Sequence, residues 1–182
     1  MIAGRRAMTC CTGLVLALTS PARATPLSFD CDAAPDRFSS ISQALDGSAA
    51  VTGTLTTKEM RTGGYLPVAG VRFFSADDKN GTGFQIVGDV DRPGLFDVIL
   101  NIWRDGVLTS DPVGQVALTA PSPFEFGLSA TGLASLRIGG THFETKFMPM
   151  REGKVMVFCS TAQFKFTDLD FTVGNTERRS EP

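Results

Sequence analysis

Residues 154–171, KVMVFCSTAQFKFTDLDF, constrain the fold more than any other stretch of the chain. Val155, Val157 and Cys159 alternate with Met156 and Phe158, so both faces of the segment are apolar. That is the pattern of a strand buried between layers, not of one lying on a surface. Ser160-Thr161 reads as a turn. Beyond it Phe164 and Phe166 alternate with Gln163, Lys165 and Thr167, a strand with one wet face. The parity then slips at Thr167-Asp168, so Leu169 and Phe171 stay on the core side only if a bulge intervenes.

A doubly buried strand needs material on both sides, and the rest of the chain offers strands. Alternation predicts them at residues 28–31, 49–61, 68–75, 84–89, 95–104, 107–110, 115–119, 124–129, 133–138 and 141–148. Residues 77–83 (DDKNGTG), 91–94, Asp105-Gly106 and Gly139-Gly140 supply the turns, with Asn80-Gly81 a tight hairpin signal. Residues 36–45 alone read as helical, with Asp36 as cap and Phe38, Ile41 and Leu45 on one face. The sum is an all-β, two-sheet antiparallel β-sandwich of the jelly-roll kind, with at most one short helix. The 14 Phe suit such a fold, because two facing sheets need bulky side chains between them.

Residues 1–24 read as an export signal: Arg5-Arg6, an apolar run over residues 8–18, and the small-x-small site Ala22-Arg23-Ala24. The apolar run is too short to span a membrane. The Arg5-Arg6 pair resembles a twin-arginine signal, but its flanks Gly4, Ala7 and Met8 do not, so general secretion is the reading taken. The domain assignment is residues 1–24 signal, 25–174 one β-sandwich domain, and 175–182 a polar, frayed tail. Losing Arg5, Arg6 and Arg23 turns 17 basic residues against 19 acidic into 14 against 19. That acidic excess argues against nucleic acid and anionic membrane as partners, both of which need a basic patch, and nothing in the mature chain reads as an integral membrane segment. Cys31 and Cys159 are the cysteines left after cleavage, and in an exported chain they are expected to form one disulfide. A free nucleophile or a zinc ligand fits less well, because the chain has 1 His. No cofactor and no metal site are expected.

The order of several motifs resembles a known superfamily. Residues 52–61, then Ala69-Gly70-Val71-Arg72-Phe73-Phe74, then Asn80-Gly81 before Gly83-Phe84-Gln85, are similar to the middle of concanavalin A-like jelly rolls of the lectin/glucanase and laminin-G type. Leu136-Arg137-Ile138-Gly139-Gly140, Gly153-Lys154-Val155-Met156-Val157 and residues 164–169 resemble the closing strands of the same folds. The resemblance covers about two thirds of the mature chain and implies sugar binding or sugar cleavage. The glucanase branch carries E-x-D-x-x-E on one strand, and that motif is absent here. Glu125, Glu144 and Asp97 are single carboxylates on separate strands, whereas retaining hydrolysis needs two carboxyls about 5 Å apart.

The strand at residues 95–104 is the most informative for a site. Phe96, Val98, Leu100 and Ile102 form its core face, leaving Leu95, Asp97, Ile99, Asn101 and Trp103 on the other. Asp97, Asn101 and Trp103 make a sugar platform of an aromatic plus hydrogen-bonding groups, joined by Arg72 and Gln85 from neighbouring strands. The competing reading packs Trp103 under a loop and pairs Asp97 with Arg72 or Arg104. His142 follows a Gly-Gly turn and reads as a surface residue. Asp77-Asp78 and Asn80 resemble part of a calcium loop but lack its spaced acids. Tyr65 sits at a loop tip or covers the core edge, and Asn80-Gly81-Thr82 matches a glycosylation acceptor. The functional expectation is an exported, non-catalytic binding protein for a carbohydrate or cell-envelope component. The alternatives are a glycoside-active enzyme of the same fold, or a structural, protein-interaction domain.

Overall fold

Val155 and Val157 point one way from their strand, Phe158 points the other, and all three are fully buried. The computed structural model, which describes residues 26–174, shows what covers them. The expected signal at 1–24 and tail at 175–182 lie outside the described residues. The described elements are β1 (Leu27–Asp46), β2 (Ser48–Met60), β3 (Val68–Ser75), β4 (Gly81–Gly88) and β5 (Leu95–Arg104). They continue with β6 (Val107–Ala117), β7 (Ser122–Leu128), β8 (Leu133–Ile138), β9 (Thr141–Lys146) and β10 (Glu152–Gly174). Every pairing is antiparallel, in the order β6-β5-β4-β3-β10-β2-β7-β8-β9, with β1 also on β10.

This run of strands folds back on itself at β10. The first half of β10 pairs with β3, and the second half pairs with β2. The front layer is therefore β6-β5-β4-β3 with the first half of β10, and the back layer is the second half of β10 with β2-β7-β8-β9. Thr161 marks the crossing, with φ 55° inside the strand. The Ser160-Thr161 turn expected from sequence is thus a bulge within one continuous strand. The second bulge stands where the parity slip placed it: the β10–β2 register shifts between Thr167 and Asp170, and Asp168 has φ 53°.

β1 follows β10 across both layers, pairing at Leu27–Ala33 and again at Phe38–Asp46. The helix expected at residues 36–45 is not formed. Asp36 (φ 60°) lies in a bulge of β1, Ile41 and Leu45 turn inward, and Phe38 turns outward. An outward Phe gave a strand the apolar spacing of a helix.

Phenylalanines meet between the layers. Phe73 stacks on Phe126 at 5.0 Å, Phe84 contacts Phe124 and Phe126 at 5.9 and 5.4 Å, and Phe96 meets Phe164 at 5.9 Å. The disulfide Cys31–Cys159 is present, with Cα atoms 6.0 Å apart, and both residues lie in this core next to the crossing. It links the first strand to the last, because residues 154–171 form one strand where the sequence suggested two. At the open side the edges β6 and β9 touch, with Thr141 Oγ1 donating to the Gln115 carbonyl at 3.3 Å.

Candidate functional site

The outward face of the front layer is read rung by rung from the register. One rung runs Ser42, Met156, Arg72, Gly83, Asn101, Ser110; the next runs Ser40, Phe158, Gly70, Gln85, Ile99, Pro112. Lys154, Phe74, Gly81, Trp103 and Leu108 lie on one side of these, and Phe38, Ser160, Val68, Val87, Asp97 and Gln115 on the other. Two glycines make room at the centre. A Cβ on Gly83 would stand 2.8 Å from Arg72 Cγ, so the stem of Arg72 lies over that glycine.

Arg72 is the organising side chain of this face. Its guanidinium lies 3.9 Å from the Phe158 ring centroid and 5.3 Å from that of Trp103. Nη2 donates to Gln85 Oε1 at 3.1 Å, while Nε is buried without a partner. No carboxylate among the described residues pairs with it, and burial pulls its pKa down to about 10. Phe38 stacks on Phe158 at 5.4 Å, and Phe74 meets Trp103 at 4.8 Å. Phe38, Phe158, Arg72, Trp103 and Phe74 therefore form one continuous ladder of rings and cation.

Above the Phe38 end of the ladder the loop between β2 and β3 closes a depression of about 520 Å³. Arg72, Gln85 and Phe158 floor it, and Phe38, Tyr65 and Leu66 rim it. Its lining residues include no carboxylate and no imidazole. The loop is tied down: Tyr65 N–H donates to Asp36 Oδ1 at 2.9 Å, and Gly88 N–H to the Pro67 carbonyl at 2.8 Å.

Of the residues singled out from sequence, the structure brings Arg72, Gln85 and Trp103 together. Asn101 is on the same face but only 2% exposed, and it accepts a hydrogen bond from Ser110 Oγ at 2.7 Å. Asp97 lies toward the edge, where Gln115 Nε2 donates to it at 2.7 Å and Arg92 stands 3.5 Å away. Its partner is thus Arg92, neither Arg72 nor Arg104. Trp103 packs on Phe74 and beside Arg72. Phe38 and Tyr65 escaped the strand-parity reading. One was hidden by the bulge in β1, and the other reaches the site from a loop.

The remaining candidates lie elsewhere. Glu125 is on β7 opposite Arg137, and Glu144 is on β9 with His142 at 3.6 Å, both in the back layer and exposed. Neither shares a layer with Asp97. Asp77 serves its own turn, accepting from Ser75 Oγ at 2.6 Å, which lowers its pKa. Asn80 Oδ1 accepts the Asp105 amide at 3.1 Å, while Thr82 is fully buried. Among the described residues no group of three His, Cys, Asp or Glu is placed to hold a metal ion. No helix among them is long and apolar enough to cross a membrane.

No protein-family model matches the chain, and no curated protein does. Solved structures do match in fold. An alginate lyase from Alteromonas sp. 272 superposes with a TM-score of 0.54 at 9% identity, over 85% of this chain and 90% of the lyase. The carbohydrate-binding module CBM66 of Bacillus subtilis gives 0.50 at 13% identity, over 81% of this chain and 91% of the module. The CBM2 module of an evolved Dit protein from Lactobacillus casei BL23 phage J-1 gives 0.53 at 7%, over 79% and 74%. With the strand order, the facing layers and these superpositions, the chain has a two-layer antiparallel jelly-roll fold like that of these structures.

Proposed function

We propose that this chain is an exported, non-catalytic binding protein, folded as one domain, whose ligand is a carbohydrate or carbohydrate-bearing envelope component. The ligand lies in the depression over Arg72 and Gln85. The observation that carries this reading is the floor of the depression: a planar cation that no carboxylate among the described residues pairs, an amide bonded to it, and exposed rings at the rim. Saccharides are recognised by such flat apolar surface combined with a few converging polar groups. The positive charge without a carboxylate partner narrows the class to acidic sugars, because a guanidinium fork matches the two oxygens of a carboxylate. The fold shared with carbohydrate-binding modules supports the same reading.

The likeness to an alginate lyase favours a second, enzymatic reading. Proton abstraction or sugar cleavage needs a positioned base or acid; the depression's lining supplies no carboxylate and no imidazole, and its one phenol, Tyr65, is 71% exposed. Binding without turnover is therefore the reading preferred. Export is supported by the Cys31–Cys159 disulfide, which belongs to oxidising compartments.

Trp103 is the chain's 1 Trp and stands 5.3 Å from Arg72, so its fluorescence reports on the site. Titration of residues 25–182 with short oligouronates is expected to shift that emission, with neutral oligosaccharides of the same length giving no shift. Arg72→Met should abolish the response. Release of new reducing ends from the same oligouronates would replace the binding reading with the enzymatic one. A response to neutral sugars alone would remove Arg72 from its role.

A further inference from the structure

Large apolar side chains left exposed are normally scattered, and a cluster of them marks a contact surface. Of the 8 exposed among the described residues, Phe38, Tyr65 and Leu66 border the same depression. Tyr65 is 71% exposed, so it is not held in place by the need to cover the core, and Phe38, with one side on Phe158, is still 52% exposed.

Their placement is nevertheless rigidly specified. Asp36 adopts φ 60°, and its amide donates to Thr161 Oγ1 at 3.2 Å. Its carboxylate then turns to the loop and accepts the Tyr65 amide at 2.9 Å. Gly63 packs so closely that a Cβ there would lie 2.7 Å from Asp36 Oδ1, and Gly64 follows at 3.6 Å. At the start of the loop, Arg61 bonds Asp32, Glu59 and the Ala33 carbonyl at 2.6, 2.8 and 2.8 Å, and its amide donates to the Thr161 carbonyl at 3.1 Å. A loop fastened on this scale, presenting an uncovered ring, is organised in advance for something that binds against it.

We propose that Phe38 and Tyr65 form a stacking subsite for the apolar face of a pyranose ring, and that Asp36 is the positioning residue that presets it. The proposal rests on the carbohydrate reading above and extends it from one sugar to two. Phe38 lies on Phe158, and Phe158 lies under the guanidinium of Arg72. The stacked ring is therefore the neighbour of the sugar whose carboxylate meets Arg72. Lengthening a ligand from a free uronate to a short oligouronate adds this second contact.

The test uses residues 25–182 carrying Tyr65→Ala, Asp36→Gly or Asp36→Asn, each titrated with a monouronate and with short oligouronates through Trp103 fluorescence. Amide hydrogen exchange at residue 65 is followed in parallel. Tyr65 is exposed, so its removal leaves the core intact. In wild type the oligouronate is expected to bind more tightly than the monouronate. Tyr65→Ala and Asp36→Gly should shrink that gain by about tenfold. Asp36→Asn should keep most of it, because Asn tolerates a positive φ and still offers an acceptor oxygen. The residue 65 amide should be protected in wild type and Asp36→Asn and exchange freely in Asp36→Gly.

An undiminished gain in Tyr65→Ala, in a chain whose binding Arg72→Met abolishes, would overturn the stacking subsite and leave the Arg72 reading standing. Free exchange at residue 65 in Asp36→Gly with undiminished gain would overturn the positioning role. Wild type that binds no oligouronate would overturn the subsite and the reading beneath it together.

Discussion

A guanidinium between Phe158 and Trp103, with one hydrogen bond to Gln85, has lost more hydration than its surroundings return. Burial draws its pKa from the ordinary arginine value down to about 10. Between those values the unfolded chain holds the proton more tightly, so this residue's contribution to stability rises with pH across that window. Below about pH 10 the full penalty is present. Replacing Arg72 by Met keeps the stem and removes the charge. The variant is expected to unfold in urea at an equal or higher concentration than wild type at neutral pH, and the gap should narrow as pH rises through that window. Its affinity for oligouronates should fall by more than about tenfold, since the charge-assisted pair contributes about 1.5–3 kcal/mol. Arg72→Lys, a point charge without the fork, should lie between the two in affinity.

The strand β10 shows what local structure the sequence reveals and what it conceals. Its double-sided apolar start and the slip at Thr167-Asp168 were legible, because alternation has period two and a bulge breaks that period visibly. Ser160-Thr161 was misread as a turn because a bulge and a turn use the same small polar residues, and only the partners β1, β2 and β3 tell them apart. The bulge makes a measurable demand. Asp168 is exposed at φ 53°, where a β-branched residue is strained, so Asp168→Val should cost about 1–2 kcal/mol in urea unfolding while Asp168→Asn stays near zero. In β1 the failure had a different cause. Phe38 faces outward at the rim of the depression, and that one residue turned strand spacing into apparent helix spacing. Parity did place Arg72, Gln85 and Trp103 on one face. It gave no sign that Asn101 would be covered, nor that Tyr65 would arrive from a loop, because both depend on approaches between distant parts of the chain.

Across the whole molecule, the disulfide closes a sequence separation of 128 residues and lies beside the place where β1 and β10 change layers. Chain-entropy reasoning assigns such a closure about 4–5 kcal/mol. Cys31→Ser with Cys159→Ser is expected to lose that order of stability, read as a lower urea midpoint that reductant does not change further. Wild type in reductant should approach the same value. The position of β10 has a second consequence, one of timing. The strand that completes the pairing of β1, β2 and β3 is synthesised after every other described strand. Until residues 152–174 emerge, these earlier strands lack their common neighbour, and long-range pairing of this kind is slow. Cys159 travels in that same final strand, so its sulfur reaches Cys31 only when the β-structure closes: the order of synthesis schedules the oxidation.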